Sequence, residues 1–169
     1  DAQPWVMDGW VVTGWRWCPP VRPARSSDLG RLAGELRERT APGGRGDLSV
    51  FDPLGHVLDV VADCNGEQAE FVTERARALT EPFHRAVAED PLGSCVVHGD
   101  LHRGNVVVAD EGPLLTDLEL GGWGPASYDT AAAVVAVRRY GAPVDGLHRF
   151  LAAAGSDPRG WSGFEVLVD

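Results

Sequence analysis

The chain has 169 residues, with 25 acidic against 15 basic side chains and a formal net charge of −10, a balance that argues against a nucleic-acid or anionic-membrane surface. Its 44% hydrophobic and 24% charged residues are ordinary for one globular domain with a real core. All the basic residues are Arg, so chemistry that needs a lysine must draw it from elsewhere.

The sequence opens on Asp1 rather than Met, which suggests a fragment or a processed product. Trp5-Val6-Met7 and Trp10-Val11-Val12-Thr13 flank Asp8-Gly9, the pattern of a β-hairpin with a tight turn. The tryptophans Trp5, Trp10, Trp15 and Trp17 are expected to pack. Cys18-Pro19-Pro20 ends the second strand, and a Pro/Arg/Ser linker follows to Ser27. The break near residues 18–27 divides the chain into residues 1–20 and 21–169.

Ser27 is expected to cap a helix over Asp28 to Arg39, with Leu29, Leu32 and Leu36 on one face. Residues 41–47 form a loop without the flanking strand and helix of a phosphate-cradling glycine loop, and its Arg-Gly-Asp is a chance triplet. After a short apolar segment, Val57 to Val61, Asn65 and Gln68 have capping-box spacing. A long helix to about Asp90 should bury Val72, Ala76, Leu79, Phe83 and Val87, with Pro82 as a candidate kink.

The central stretch, Cys95 to Leu120, carries the chemistry. Cys95-Val96-Val97, Val106-Val107-Val108 and Pro113-Leu114-Leu115 read as short buried strands. Between the first two lies His98-Gly99-Asp100-Leu101-His102-Arg103-Gly104-Asn105, and the third delivers Asp117 and Glu119. Further on, Gly121 to Ala126 reads as a loop. Ser127 starts an Ala/Val-rich helix to Tyr140, buried on most sides and closed by Gly141. Another helix spans Val144 to Ala154 and ends at Gly155; the tail from Asp157 to Asp169 ends in an apolar run with no cap.

An Asp followed five residues later by an Asn, then by a strand-borne Asp about a dozen further on, suits phosphoryl transfer. A carboxylate takes the proton of the attacking hydroxyl, while carboxylate and amide oxygens are the hard ligands that Mg²⁺ prefers. The octapeptide resembles the catalytic loop of the aminoglycoside phosphotransferase and choline kinase family, relatives of protein kinases. Thr116-Asp117-Leu118-Glu119 resembles the family's metal-binding strand, and Tyr128-Asp129-Thr130-Ala131 its helix-head Asp.

The resemblance implies an α/β (α+β), protein-kinase-like fold: a mainly helical C-terminal lobe over 21–169 with a small catalytic β-hairpin, and residues 1–20 as a remnant of the N-lobe sheet and hinge. It implies a Mg²⁺-ATP-dependent (or GTP-dependent) phosphotransferase acting on a hydroxyl of an aminoglycoside-type molecule or a similar amino-alcohol or sugar. Asp100 then resembles the catalytic base, and Asn105 and Asp117 the Mg²⁺ ligands. His98 and Asp129 resemble braces of the loop, and Trp17 sits near the hinge that would meet the nucleotide. His102 is a substrate contact or a solvated side chain, and Glu119 assists the metal or lines the cleft. His56, His84 and His148 are isolated and receive no role.

The chain departs from the family in having no glycine-rich nucleotide loop and no strand lysine, and it stops short of the family's last helices. A truncated piece of a longer kinase is therefore expected, with an inactive fragment or pseudokinase that binds a ligand or partner as the alternative. A metallophosphoesterase, suggested by Gly99-Asp100-Leu101-His102, lacks further metal-ligand clusters. Cys18, Cys64 and Cys95 have no metal-ligand spacing and, with no apolar run of about 18 residues, point to reduced thiols in a cytoplasmic protein.

Overall fold

A computed structural model describes residues 4–40 and 43–169. The start of the N-terminal segment (1–3) and of the 41–47 loop (41–42) lie outside the described residues.

The first hairpin forms as the Asp-Gly turn demands, with β1 (Trp5–Met7) antiparallel to β2 (Trp10–Val12). Asp8 and Gly9 both take positive φ, 51° and 83°, which is the conformation a tight two-residue hairpin turn needs. The tryptophans do not pack as expected: Trp10, Trp15 and Trp17 are each more than 75% exposed. A two-stranded hairpin has no second layer to bury them against.

The Pro/Arg/Ser segment is docked rather than a free linker. Val21 N–H donates to the Val108 carbonyl at 2.8 Å, and Arg22 bridges antiparallel to Val108. The Arg22 guanidinium grips Asp28 at 2.6 and 2.8 Å, and Arg25 N–H adds a third hydrogen bond to that carboxylate. This fork holds the Asp28 carboxyl down at about 2. The helix behind it, α1 (Ser26–Thr40), starts one residue before the expected cap. Leu29 and Leu32 are buried as its spacing predicts.

Residues 53–61 make a helix of their own, α2 (Pro53–Val61), capped by Asp52 through Gly55 N–H at 2.8 Å. Next comes α3 (Glu67–Glu89), which runs unbroken through Pro82. The expected capping box does not form. Gly66 takes the cap position with φ 105°, and no side chain bonds there. Ala76, Phe83 and Ala86 are buried on its inner face, while Val72, Leu79 and Val87 are half-buried.

The strands around the central loop pair differently from a simple hairpin. β3 (Ser94–Val97) is antiparallel to β6 (Gly122–Pro125), the segment expected to be a loop. β4 (Val106–Ala109) is antiparallel to β5 (Gly112–Leu115). The catalytic-type loop therefore links two separate sheets and does not close a hairpin. β6 was hidden because Gly-Trp-Gly-Pro carries no β-branched run. Backbone packing explains its glycines: a Cβ at Gly124 would sit 2.8 Å from Cβ of Phe51.

Helix α4 (Tyr128–Tyr140) ends at Gly141 with φ 68°, and α5 (Val144–Ala154) ends at Gly155 with φ 67°, as their C-terminal glycines predict. Contrary to the expected burial on most sides, α4 buries chiefly Asp129, Thr130, Ala131 and Val134. The uncapped tail turns into a short helix, α6 (Phe164–Val168), whose Phe164 is fully buried. α1 lies so close to α5 that a methyl at Gly30 would overlap the Phe150 carbonyl. Arg37 reaches across to the end of α5, donating to the Ala154 carbonyl and Ser156 Oγ.

Candidate active site

The loop after β3 is held from behind by one buried carboxylate. Asp129, in the first turn of α4, is 3% exposed, and its two oxygens accept the backbone N–H groups of His98 at 2.9 Å and Gly99 at 3.1 Å. Burial pushes the Asp129 carboxyl up, and the two N–H groups pull it back. Asp129 is itself positioned by a residue that the sequence pattern did not single out. Asp90, at the end of α3, accepts Ser127 N–H at 2.8 Å and Ser127 Oγ–H at 2.7 Å, and so fixes where α4 begins. A buried carboxylate accepting at a helix start has no short motif, because its partner lies 37 residues away.

His98 is fully buried. Its Nε2 meets the Thr116 carbonyl at 2.9 Å, and its Nδ1 accepts Asp100 N–H at 3.3 Å. A carbonyl only accepts, so the ring hydrogen sits on Nε2. The imidazole therefore spans the two halves of the site, from the base of Asp100 to the residue before Asp117. Thr116 is gripped on its other side too, its N–H donating to the Asn105 carbonyl at 3.0 Å.

Asn105, 7% exposed, commits both amide hydrogens to Asp100, one to its carbonyl at 3.0 Å and one to Oδ2 at 3.1 Å. Its amide oxygen makes no hydrogen bond among the described residues. His102 Nε2 lies 3.5 Å from the same Asp100 Oδ2, and His102 Nδ1 accepts Gly104 N–H at 2.9 Å. Asp100 Oδ1 takes no hydrogen bond among the described residues, which leaves one carboxylate oxygen uncommitted.

Asp117 follows β5 with φ 60°, one of two non-glycine residues among those described with positive φ. It is exposed and makes no hydrogen bond or ion pair among the described residues. Such a conformation costs about 1–3 kcal/mol, and the residue before it is held by the two bonds to Thr116. Glu119 is exposed two residues on and also has no partner among the described residues. Trp17 stands apart with its indole 81% exposed. Its neighbour Arg16 pairs with Glu111 in the β4–β5 turn at 3.3 Å, which places the segment alongside that sheet.

No three His, Cys, Asp or Glu side chains converge as a metal-holding group among the described residues. The oxygen donors offered are the amide of Asn105 and the carboxylate of Asp117. This sparse, all-oxygen set fits Mg²⁺, which takes one or two carboxylates and completes its shell with water and phosphate.

A cleft of about 700 Å³ opens beside Asp100. One wall is the loop from Gly99 to Gly104; the others come from α1, α4, α5 and α6. Two lining residues were missed as candidates. Tyr128 packs edge-on to Phe51 with ring centroids 4.5 Å apart, and burial pushes its phenol up, helped by Asp129 and Asp100. Arg103 is tied to the start of α1 through Ser26 Oγ at 3.1 Å.

A mainly helical lobe with a polar loop braced between two small sheets defines the kinase-like class of folds. The solved structure of choline kinase LicA from Streptococcus pneumoniae shares it, with a TM-score of 0.55 at 18% identity over 86% of this chain and 53% of that one. This chain thus spans about half the length of that structure. No curated protein matches it in sequence. The model of the phosphotransferase enzyme family matches residues 19–165, and the chain belongs to that family.

Proposed function

We propose that this chain contributes the catalytic half of a kinase that transfers the terminal phosphoryl group of ATP or GTP to a hydroxyl of a small molecule. One observation carries the reading: Asp100 is held by Asn105, His102 and His98 with one carboxylate oxygen uncommitted, at the edge of a cleft of drug-sized volume. In this reading the acceptor hydroxyl lies in the cleft and gives its proton to Asp100 as its oxygen bonds to phosphorus and the nucleoside diphosphate leaves. Asn105 and Asp117 hold the metal, which when bound neutralises charge on the phosphate oxygens. His98 and Asp129 keep the two halves in register.

Residues 1–20 serve as the remnant of a nucleotide-binding lobe and hinge, with Trp17 near the adenine. The rest of that lobe, with its lysine, comes from a longer protein in a cytoplasmic setting. No described helix is long and apolar enough to cross a membrane.

The test is calorimetric titration with Mg²⁺ and ATP of this chain and of a form extended at both ends, each beside its Asp117→Ala variant. Binding by the extended form that Asp117→Ala weakens at least tenfold supports the reading. Absence of Mg²⁺-dependent nucleotide binding in both forms would overturn it, and the inactive-module alternative would then stand.

A further inference from the structure

The cleft beside Asp100 has a composition that selects among acceptor classes. The part of the lining that this chain supplies holds one carboxylate, Asp100, one guanidinium, that of Arg103, and the imidazole of His102, so with the imidazole neutral its charges sum to zero although the whole chain carries −10. The acidity of the sequence lies elsewhere and does not favour a cationic acceptor here. The rest of the lining is dominated by apolar side chains such as Ala132, Val135, Leu147 and Phe150. Leu147 and Phe150 are buried in its floor, while Ala132 and Val135 are partly exposed to it.

Resting on the phosphotransfer reading, we propose that the acceptor is an uncharged alcohol on a bulky, largely apolar body, and not a polycationic amino-sugar. A polyamine placed here would give up water for an apolar wall and meet a single carboxylate, one oxygen of which already accepts from Asn105. Unpaired ammonium groups pay that desolvation without return. Arg103, at the same wall as Asp100, adds repulsion. A neutral apolar body instead gains with every area it buries, and its hydroxyl meets the open oxygen of Asp100.

The test uses two probes on the full chain, followed by amide chemical shifts: hydrocortisone as a neutral alcohol on an apolar frame, and kanamycin as a polycation. The expected result is hydrocortisone perturbing the amides of Ala132, Leu147 and Phe150, with at least tenfold weaker binding by kanamycin at those residues. Ala133→Trp, which fills the cleft, should weaken the steroid at least tenfold. Ala132→Asp, a gentler change, should weaken the steroid and strengthen kanamycin.

Kanamycin binding the cleft more tightly than hydrocortisone overturns the proposal, as does binding of neither probe or steroid binding that both variants leave unchanged. The nucleotide titration separates this inference from its foundation. Mg²⁺-ATP affinity with no steroid in the cleft strikes the acceptor class alone, whereas steroid binding without nucleotide affinity strikes the phosphotransfer reading.

Discussion

The Asp129→Asn substitution tests whether one buried carboxylate holds the catalytic-type loop. In the parent, the two oxygens accept two backbone N–H groups at 2.9 and 3.1 Å. Asparagine keeps one acceptor and turns an NH₂ group toward the second donor, so one buried N–H is left unmet at a cost of about 1–3 kcal/mol. The surviving bond also changes from charged to neutral, a loss of about 1 kcal/mol. Removing a desolvated carboxylate gives part of this back, and the expected net loss is about 2–3 kcal/mol. Urea denaturation would measure it, and hydrogen exchange at His98 and Gly99 would localise it, with one of the two amides exchanging much faster. A variant within about 0.5 kcal/mol of the parent, with both amides as slow as before, would refute the argument that Asp129 is the brace.

Three further outcomes follow from the packing. Gly99 has φ 83°, and a Cβ there would lie 2.7 Å from the Leu120 carbonyl oxygen and 2.8 Å from the Phe51 ring; Gly99→Ala should cost about 2–4 kcal/mol from the left-handed backbone and the overlap together, read by thermal denaturation. Gly30→Ala should separate α1 from α5 and cost at least about 2 kcal/mol, visible as a lowered midpoint and faster exchange along both helices. Asp28 has a folded-state pKa of about 2, below its ordinary 3.8, so its contribution is present above about pH 4 and is lost as pH falls toward 2. With Arg22 partly solvated, that contribution is about 1 kcal/mol. Arg22→Gln should flatten this part of the stability–pH curve, and an unchanged curve would remove the pair from the account.

What was legible in the sequence was local. Asp8-Gly9, Gly141 and Gly155 announced their turn and helix ends because a positive φ at a fixed offset is a short-range demand. The octapeptide from His98 to Asn105 was readable for the same reason: Asn105 contacts Asp100, and His102 contacts both Asp100 and Gly104, all within five residues. What was not legible depended on distant partners. β6 has no strand-like sequence and exists because β3 lies beside it and Phe51 packs against its glycines. The segment around Arg22 looked like a linker because its partner, Val108, is 86 positions away. Asp90 looked like a helix end, and only the fold shows that it sets the start of α4. The tryptophans misled because residue type implied burial, whereas burial needs a second layer that a lone hairpin does not supply.

The same division runs through the site itself. The braces are buried and fully bonded: Asp129 to two amides, His98 to Thr116 and Asp100, and Asp90 to Ser127. The groups assigned to chemistry are the ones left open, with one oxygen of Asp100, the amide oxygen of Asn105 and the whole carboxylate of Asp117 uncommitted. Thr116 joins the two sets. His98 holds its carbonyl and Asn105 holds its N–H, so the peptide that leads into Asp117 is fixed from both sides. A side chain without partners of its own is placed through the main chain. His98 thus ties the backbone just before Asp117 to the backbone of Asp100, which gives both nitrogens of a fully buried imidazole a partner.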